Sequence, residues 1–167
     1  NKEASQEEMD QAKDMLAAMM GGPPEEEMPS TFMLYGDVNE ERAADIVSAL
    51  LLLGDKKRLD KAKERLPEGE EMSDIEFYIS TYGGSADEMM AIYDMMRLTK
   101  KNRDVQTIGM GKIMSAGTLL LASGTHGKRK IMKNCRVMIH ACNAGNMGDI
   151  YNLQNEMEAI NDLQEKY

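Results

Sequence analysis

The sequence predicts an α/β domain with parallel strand pairings. Short apolar runs of strand length alternate with amphipathic helical patterns, and serine or asparagine stands in front of several of the helices. Strands that alternate with helices favour a parallel sheet, because a parallel connection needs a crossover long enough to hold a helix. With 167 residues, of which 42% are hydrophobic, the chain is long enough to bury a core of its own.

An acidic segment, residues 1–29, precedes this domain, which we place at residues 30–167. Ser5 and Glu8 have the spacing of a capping box, and apolar residues then recur on one helical face until Gly21-Gly22-Pro23-Pro24. So short a helix is not stable alone in water, so we expect it either to dock on this subunit or a neighbour, or to stay partly disordered. The formal net charge of -9 resides mainly in this segment, which has eight acidic and two basic residues.

The regular alternation begins after this segment. We predict strands at residues 31–35, 74–80, 105–110 and 136–140, and helices at residues 40–53, 86–98, 115–122 and 149–166. Asn39 and Ser85, the latter with Glu88, are predicted caps. The charged insert, residues 55–73, is predicted to be a solvated helical extension and loop.

Composition argues against several classes of function. The domain has no basic stripe with interleaved aromatic residues, so we do not expect it to bind nucleic acid. Its longest apolar runs are too short to span a bilayer, and the N-terminus lacks the apolar region of a signal peptide. Cys135 and Cys142 are expected to be reduced, buried thiols. We therefore predict a cytoplasmic protein.

Two further kinds of site are not expected. His126, Cys135, His140 and Cys142 are potential metal ligands, but their spacings match neither C-x-x-C nor H-E-x-x-H. Gly109-Met-Gly111-Lys112 lacks the full spacing of a phosphate-binding loop. We predict neither a metal site nor a nucleotide site.

A serine and a histidine lie 25 positions apart at the edges of predicted strands, Ser115 and His140. In acyl transfer a serine is deprotonated by a neighbouring imidazole, while fixed N–H groups stabilise the developing oxyanion. Ser115, His140 and the backbone N–H groups of Gly84 and Ala116 are candidates for these roles. The alternatives are that Ser115 only caps its helix and that Gly83-Gly84 is a plain tight turn.

Several blocks carry a family resemblance. They are Tyr35-Gly-Asp-Val, Tyr78-Ile-Ser-Thr-Tyr-Gly-Gly84, Met114-Ser-Ala-Gly117 and Asn134-Cys-Arg-Val-Met-Ile-His140. In this order they resemble motifs of the ClpP family, the proteolytic subunits of the Clp protease. The resemblance covers roughly residues 31–167, and the block that ends at the histidine is the most specific.

The resemblance implies a ClpP/crotonase-like superhelix of repeated strand–helix units, with helix 149–166 projecting as a handle. It implies a serine endopeptidase with Ser115 as nucleophile, His140 as general base and the N–H groups of Gly84 and Ala116 as the oxyanion hole. The segment after the histidine would pair with the peptide substrate as an added strand. The substrate-binding residues it implies are Ser85, Ala86, Asn143 and Ala144.

The resemblance also implies partners. Family members form heptameric rings that stack in pairs around a closed chamber. An AAA+ unfoldase feeds unfolded proteins into that chamber and uses ATP, so the proteolytic subunit is expected to need no cofactor.

Some positions depart from the family pattern. Tyr82 replaces the usual proline before the glycine pair, and Ala141-Cys142 replaces glutamine-proline. No residue matches the third triad member, an aspartate, because the sequence ends 27 residues after His140. Asp149 and Asp162 follow His140 on the predicted last helix and are candidates to orient its imidazole, but we expect instead that the matching C-terminal part is absent. A catalytically silent ring subunit and a crotonase-like acyl-thioester enzyme are the alternative functions.

Overall fold

The alternation of strand and helix patterns is realised in the computed structural model, which describes residues 30–141 and five later positions, Glu158, Asn161, Asp162, Gln164 and Glu165. The elements of residues 30–141 are, in chain order, β1 (Thr31–Tyr35), α1 (Glu40–Leu53), α2 (Lys56–Lys63), β2 (Ile75–Thr81), α3 (Ala86–Thr99), β3 (Val105–Met114), α4 (Ala116–Ala122), β4 (Arg129–Ile131) and β5 (Arg136–Met138). The predicted α/β class is confirmed.

Parallel pairing joins the five described strands into one sheet. Strand β2 lies between β1 and β3, with Phe32 opposite Phe77 and Phe77 opposite Thr107. Both β4 and β5 pair with β3, β4 along residues 107–109 and β5 along residues 112–114. Because β2 occupies one edge of β3, β4 and β5 follow one another along its other edge. The end of β3 therefore lies between the ends of β2 and β5.

Helices cover one face of this sheet. Strand β1 shows the alternation: Leu34 is fully buried, whereas Met33 and Tyr35 are each 57% exposed, as expected of a strand with one covered face. The core contains side chains from the strands and from α1, α3 and α4, among them Leu34, Ile46, Leu50, Phe77, Ile79, Met89, Ile92, Met96, Ile113 and Leu120. This packing holds the strand ends in place from the helical side.

Most predicted elements are confirmed, with small shifts at their ends. Strand β1 and helix α1 have the predicted bounds, and the Asn39 side chain caps α1 by accepting a hydrogen bond from the Arg42 N–H at 3.0 Å. Strand β2 begins one residue later than predicted, and α3 ends one residue later, at Thr99. Strand β5 is shorter than predicted, because it ends at Met138 rather than at His140.

The insert contains the predicted helical extension, helix α2. Asp55 caps it by accepting a hydrogen bond from the Arg58 N–H at 2.9 Å. Leu59 is the one buried residue of this helix and is only 2% exposed. The extension is therefore a charged helix attached through a single apolar side chain.

Two predictions about strands were wrong. Strand β3 continues to Met114, four residues past its predicted end. Strand β4 was not predicted, because Arg129-Lys-Ile131 is short and lacks apolar alternation. This strand forms only through its pairing with β3, a contact that local sequence does not encode.

Two predicted segments lie wholly or partly outside the described residues. The N-terminal helix within residues 1–29 is one of them. Of the predicted last helix, residues 149–166, the five described positions are helical, whereas its bounds and its role as a handle lie outside the described residues. None of the helices in the described part of the chain combines the length and the apolar character that a bilayer crossing requires.

Candidate active site

An irregularity in β3 sets the position of Ser115. Ile79 of β2 pairs with Gly109, but Thr81 pairs with Ile113, so a two-residue step along β2 corresponds to a four-residue step along β3. Gly111, with φ +63°, lies in the additional length. Bulges of this kind redirect the residues that follow them. Because of the bulge, Ser115 at the end of β3 lies beside the turn that follows β2.

The backbone of Ser115 is strained. It has φ +52° and ψ -124°, and no other non-glycine residue in the described part of the chain has a positive φ. Such a conformation costs about 1–3 kcal/mol and persists only where surrounding contacts impose it. Ser115 precedes α4 as predicted, but its side chain makes no capping hydrogen bond. The alternative that Ser115 serves only as a helix cap is therefore not supported.

The glycine pair after β2 packs directly against this serine. A Cβ built on Gly83 would lie 2.6 Å from the Ser115 Cβ and 3.1 Å from its Oγ, and one built on Gly84 would lie 2.2 Å from the Val38 carbonyl oxygen. Gly83 has φ +106° and Gly84 has φ +150°. The segment is a turn, but both positions need glycine because neighbouring groups occupy the space of a side chain.

The Gly84 amide is oriented by its neighbours. The Val38 N–H donates to the Gly83 carbonyl at 2.8 Å, and the Ser85 N–H donates to the Val38 carbonyl at 2.9 Å. These two bonds form a parallel bridge between Val38 and Gly84. In such a bridge the hydrogen bonds use the peptide groups on either side of Gly84, so its own N–H points away from Val38.

His140 follows the strand that pairs with the far edge of β3. Met138 pairs with Met114, and its carbonyl accepts a hydrogen bond from the Ser115 N–H at 3.0 Å. His140 lies two residues beyond Met138 and is partly buried. Neighbouring strands are about 4.8 Å apart, so the Ser115 backbone lies beside the end of β5, two residues before His140.

Other predicted site residues have different surroundings. Ala116 is the first residue of α4 and is buried. The Ser85 hydroxyl accepts a hydrogen bond from the Glu88 N–H at 3.5 Å, which confirms the predicted cap of α3, and Ala86 is the first residue of that helix. Asp162 is helical and exposed. Three further candidates lie outside the described residues: Asn143, Ala144 and Asp149.

A cation–aromatic cluster borders the glycine turn. The Lys112 Nζ lies 4.5 Å from the ring centroid of Tyr82 and 5.4 Å from that of Tyr35, distances at which an ammonium is attracted to a ring face. Tyr82 is 64% exposed and precedes Gly83 directly. The cluster therefore holds the start of the turn against β3 from the solvent side.

Neither a metal set nor an activated thiol is found among the described residues. No group of three or more His, Cys, Asp or Glu side chains there could hold a metal ion. Cys135 is a free thiol, as predicted, but is only partly buried, and Cys142 lies outside the described residues. Burial raises the pKa of the Cys135 thiol, which keeps it protonated near neutral pH.

Two residues next to the site were missed by sequence reasoning. Val38 forms the bridge to Gly84, and no local pattern indicates that contact. The Thr81 hydroxyl accepts a hydrogen bond from the Gly83 N–H at 2.9 Å. A threonine two residues before a glycine is a recognisable signal for a turn stabilised by a hydroxyl, so Thr81 was accessible to prediction.

A serine, a glycine pair and a histidine at the ends of three adjacent parallel strands form an arrangement suited to a hydrolase. A family model for Clp protease matches residues 28–167. The chain therefore belongs to the Clp protease family, and the resemblance inferred from the sequence motifs is confirmed. This is a family of peptidases. The match favours the peptidase hypothesis over the crotonase-like one.

Proposed function

We propose that the chain is a serine endopeptidase with Ser115 as nucleophile and His140 as general base. The observation that supports this best is the meeting of the ends of β2, β3 and β5. The Ser115 N–H is bonded to the Met138 carbonyl on one side, and its Oγ faces Gly83 on the other. Ligands of parallel α/β sheets bind beyond the carboxyl ends of the strands, which is where these residues lie.

In the proposed reaction the Ser115 Oγ attacks the carbonyl carbon of a peptide bond while His140 accepts its proton. The carbonyl oxygen becomes an oxyanion and accepts hydrogen bonds from the backbone N–H groups of Gly84 and Ala116. The C–N bond then breaks, and His140 donates the proton to the leaving amine. Water, deprotonated by His140, then attacks the acyl carbon. The ester bond to the Ser115 Oγ breaks, the peptide leaves with a new carboxyl group, and His140 returns the proton to the Oγ.

The backbone of Ser115 supports this role. With φ +52° and no capping bond from its side chain, the serine is held in a conformation that helix initiation does not require. Strain of this kind is often found at functional sites, because a fixed orientation of the nucleophile is part of the mechanism. Of the two aspartates after His140, Asp162 is exposed and Asp149 lies outside the described residues, so no carboxylate is assigned to orient His140.

The substrate is proposed to be a peptide or an unfolded protein, bound beside Ser85 and Ala86 and paired with the backbone at Asn143 and Ala144. Backbone pairing gives affinity without strict sequence preference. Ser85 contributes little through its own polar groups in this proposal. Its N–H donates to Val38, its carbonyl accepts from Met89, and its hydroxyl caps α3.

We also propose that the chain assembles into heptameric rings stacked in pairs and receives substrate in the cytoplasm from an AAA+ unfoldase, which supplies the ATP-dependent step. Exposed apolar side chains of β4, of β5 and of the residue after β5 support burial against a second copy: Ile131 is 54%, Val137 49% and Ile139 71% exposed. Native mass spectrometry should give multiples of the 18.7 kDa chain mass. A monomer at micromolar concentration would contradict the ring.

The catalytic proposal is tested with a fluorophosphonate probe, which reacts covalently with activated serines. We expect labelling of Ser115, located by peptide mass, to be absent in Ser115→Ala. It should be about 10³-fold slower or more in His140→Ala, because the general base is lost. The reaction is followed for hours, so that a serine activated without an orienting carboxylate is still detected.

Each outcome of this labelling decides between hypotheses. Labelling of wild-type Ser115 that depends on His140 supports the peptidase. Labelling that His140→Ala leaves unchanged removes His140 from the mechanism. An unlabelled Ser115 in a protein that still forms rings would overturn the proposal in favour of the silent subunit.

A further inference from the structure

One side chain touches both backbone segments that carry the proposed oxyanion donors. Thr81 is the last residue of β2 and is fully buried. It lies two residues before Gly83 and pairs with Ile113, just ahead of Ser115. Its two branches, a hydroxyl and a methyl, face different parts of the site.

The hydroxyl branch holds the glycine turn. The Thr81 Oγ1 accepts a hydrogen bond from the Gly83 N–H at 2.9 Å and donates one to the Gly83 carbonyl at 3.3 Å. That carbonyl also accepts from the Val38 N–H. Glycine backbones are freer than those of any other residue, so a turn made of two glycines needs such bonds to keep the Gly84 N–H in one direction.

The methyl branch contacts the other segment. A Cβ built on Gly117 would lie only 2.5 Å from the Thr81 Cγ2. Gly117 is therefore glycine because this methyl occupies the space of its side chain. Gly117 follows Ala116, whose N–H is the second proposed oxyanion donor, so the methyl sets how closely the first turn of α4 approaches β2.

We infer that Thr81 is a positioning residue that fixes the separation and orientation of the two oxyanion donors, Gly84 and Ala116. This inference rests on the proposed serine peptidase function and deepens it. Thr81 does not touch the reacting atoms. It acts through Gly83 on one donor and through Gly117 on the other, so that both N–H groups meet the same oxygen.

Thr107 supplies a matched control for this role. It is also fully buried, lies on β3, and donates its hydroxyl proton to a backbone carbonyl, that of Leu121, at 2.8 Å. A Cβ built on Gly124 would lie 2.3 Å from its Oγ1. Thr107 therefore combines burial, a hydroxyl bond and a close glycine in the same sheet, but at the other end of α4.

The test compares Thr81→Val with Thr107→Val, since valine keeps the branched shape of threonine and replaces only its hydroxyl with a methyl group. The second-order rate of fluorophosphonate labelling reports on the oxyanion hole, because the phosphonyl oxygen occupies the oxyanion position. Loss of one oxyanion donor lowers turnover by about 10²–10³. For a displaced donor we expect labelling in Thr81→Val to slow by about 10- to 100-fold, and labelling in Thr107→Val to stay within about threefold.

Two further readouts separate positioning from a structural role. With a peptide substrate, Thr81→Val should lower kcat and leave KM nearly unchanged, because the oxyanion exists only in the transition state. Thr81→Ser keeps the hydroxyl bond to Gly83 but loses the methyl that packs against Gly117, so it should react faster than Thr81→Val and still more slowly than the wild type. All variants are compared well below their melting temperatures, so that a loss of folded protein does not enter the rates.

These experiments distinguish a wrong proposed function from a wrong role for Thr81. If wild-type Ser115 is not labelled, the proposed function itself is wrong. If wild-type Ser115 is labelled and Thr81→Val reacts equally fast, only the role of Thr81 is wrong. Equal slowing in Thr81→Val and Thr107→Val would reduce both effects to general loosening of the core and would also overturn the inference.

Discussion

The two edges of the same sheet are held together in different ways. At the carboxyl edge, where the proposed site lies, glycine backbones pack closely: Gly83 lies against the Ser115 side chain and Gly84 against the Val38 backbone. At the amino edge, charged side chains join the starts of the strands: Asp74 precedes β2, Asp104 precedes β3 and Lys128 precedes β4.

The amino edge is a polar network open to solvent. The Lys128 Nζ lies 2.8 Å from a carboxylate oxygen of Asp74 and 2.8 Å from one of Asp104. Thr125 donates its hydroxyl proton to Asp104 at 3.2 Å. The Arg103 Nε donates to the Ser73 carbonyl at 2.8 Å and ties the insert to this edge, next to a cavity of about 480 Å³.

The difference indicates where the chain tolerates change. Long charged side chains adjust to the loss of a neighbour, and exposed ion pairs add little stability. Two backbones in direct contact have no such freedom, since any added atom must displace a whole segment. We therefore expect substitutions at the carboxyl edge to have large effects and those at the amino edge to have small ones.

The largest effect is expected for Gly84→Ala. The new Cβ would lie 2.2 Å from the Val38 carbonyl oxygen, and φ is +150°, so both the packing and the backbone oppose it. We expect the free energy of unfolding, measured with urea, to fall by about 3 kcal/mol and Ser115 labelling to be lost.

Gly69→Ala is the matched control for that substitution. Gly69 has φ +91° with nothing within 4 Å of a built Cβ, so only the backbone opposes an alanine there. The expected loss is about 1 kcal/mol, with labelling unchanged. Equal losses of stability in Gly84→Ala and Gly69→Ala would mean that the contact with Val38 contributes nothing. That result would contradict the expected difference between the carboxyl and amino edges.

An intermediate effect is expected for Arg103→Met at the amino edge. Arg103 is 8% exposed, and its Nη1 is the one buried side-chain N or O atom in the described residues without a hydrogen-bond partner. Methionine fills similar space but loses the bond to the Ser73 carbonyl, while removal of the unpartnered Nη1 offsets part of that loss. We expect a net loss of about 1 kcal/mol in urea unfolding.

The control for Arg103→Met is Ser73→Ala. It removes only the Oγ, which accepts from the Arg103 Nη2 at 3.4 Å, and should change stability by no more than about 0.5 kcal/mol. Labelling of Ser115 should be unaffected in both variants. Slower labelling of Ser115 in Arg103→Met would show that the amino edge is coupled to the site, and would contradict the expectation that the two edges act independently.

The same contrast explains which elements were predictable from the sequence. Helix α1 begins after Asn39 and α3 after Ser85, and both caps bond to an N–H three residues ahead, so they depend on local sequence alone. The bulge in β3 and the strand β4 depend on pairing with distant segments. Local patterns carry no signal for such pairing, which is why the end of β3 and the presence of β4 were predicted wrongly.

The residues of the candidate site also fall into two groups, those that sequence motifs reveal and those whose role depends on the fold. Ser115, His140 and the glycine pair were recognised from motifs, because their residue types and order are typical of the family. Val38 and Thr81 were not. The importance of Val38 comes from the Gly84 backbone that the fold places against it. The bond from Gly83 to Thr81 is local and was accessible to prediction, but the contact of Thr81 with Gly117 depends on the fold. Ser115 likewise bonds to a distant segment, from its N–H to the Met138 carbonyl.

The smallest effect is expected for Lys128→Met, and it should depend on pH. Hydrogen bonding to Lys128 holds the pKa of Asp104 below its ordinary value, and the two aspartates raise the pKa of Lys128. A lowered carboxyl pKa stabilises the fold above the unfolded value of about 3.9, and this stabilisation is lost as pH falls through the folded pKa. The raised lysine pKa stabilises the fold below about pH 10.4, and that contribution is lost as pH rises through the folded pKa.

The melting temperature of Lys128→Met should therefore lie below that of the wild type, by on the order of 1 °C, between about pH 5 and pH 10. The difference should shrink as the pH falls below about 4. Lys57→Met on α2 makes the same change in charge outside this cluster and should show no such pH dependence. A difference that persists at pH 2, or one that Lys57→Met reproduces, would mean that net charge rather than the bridge between Asp74 and Asp104 stabilises this edge.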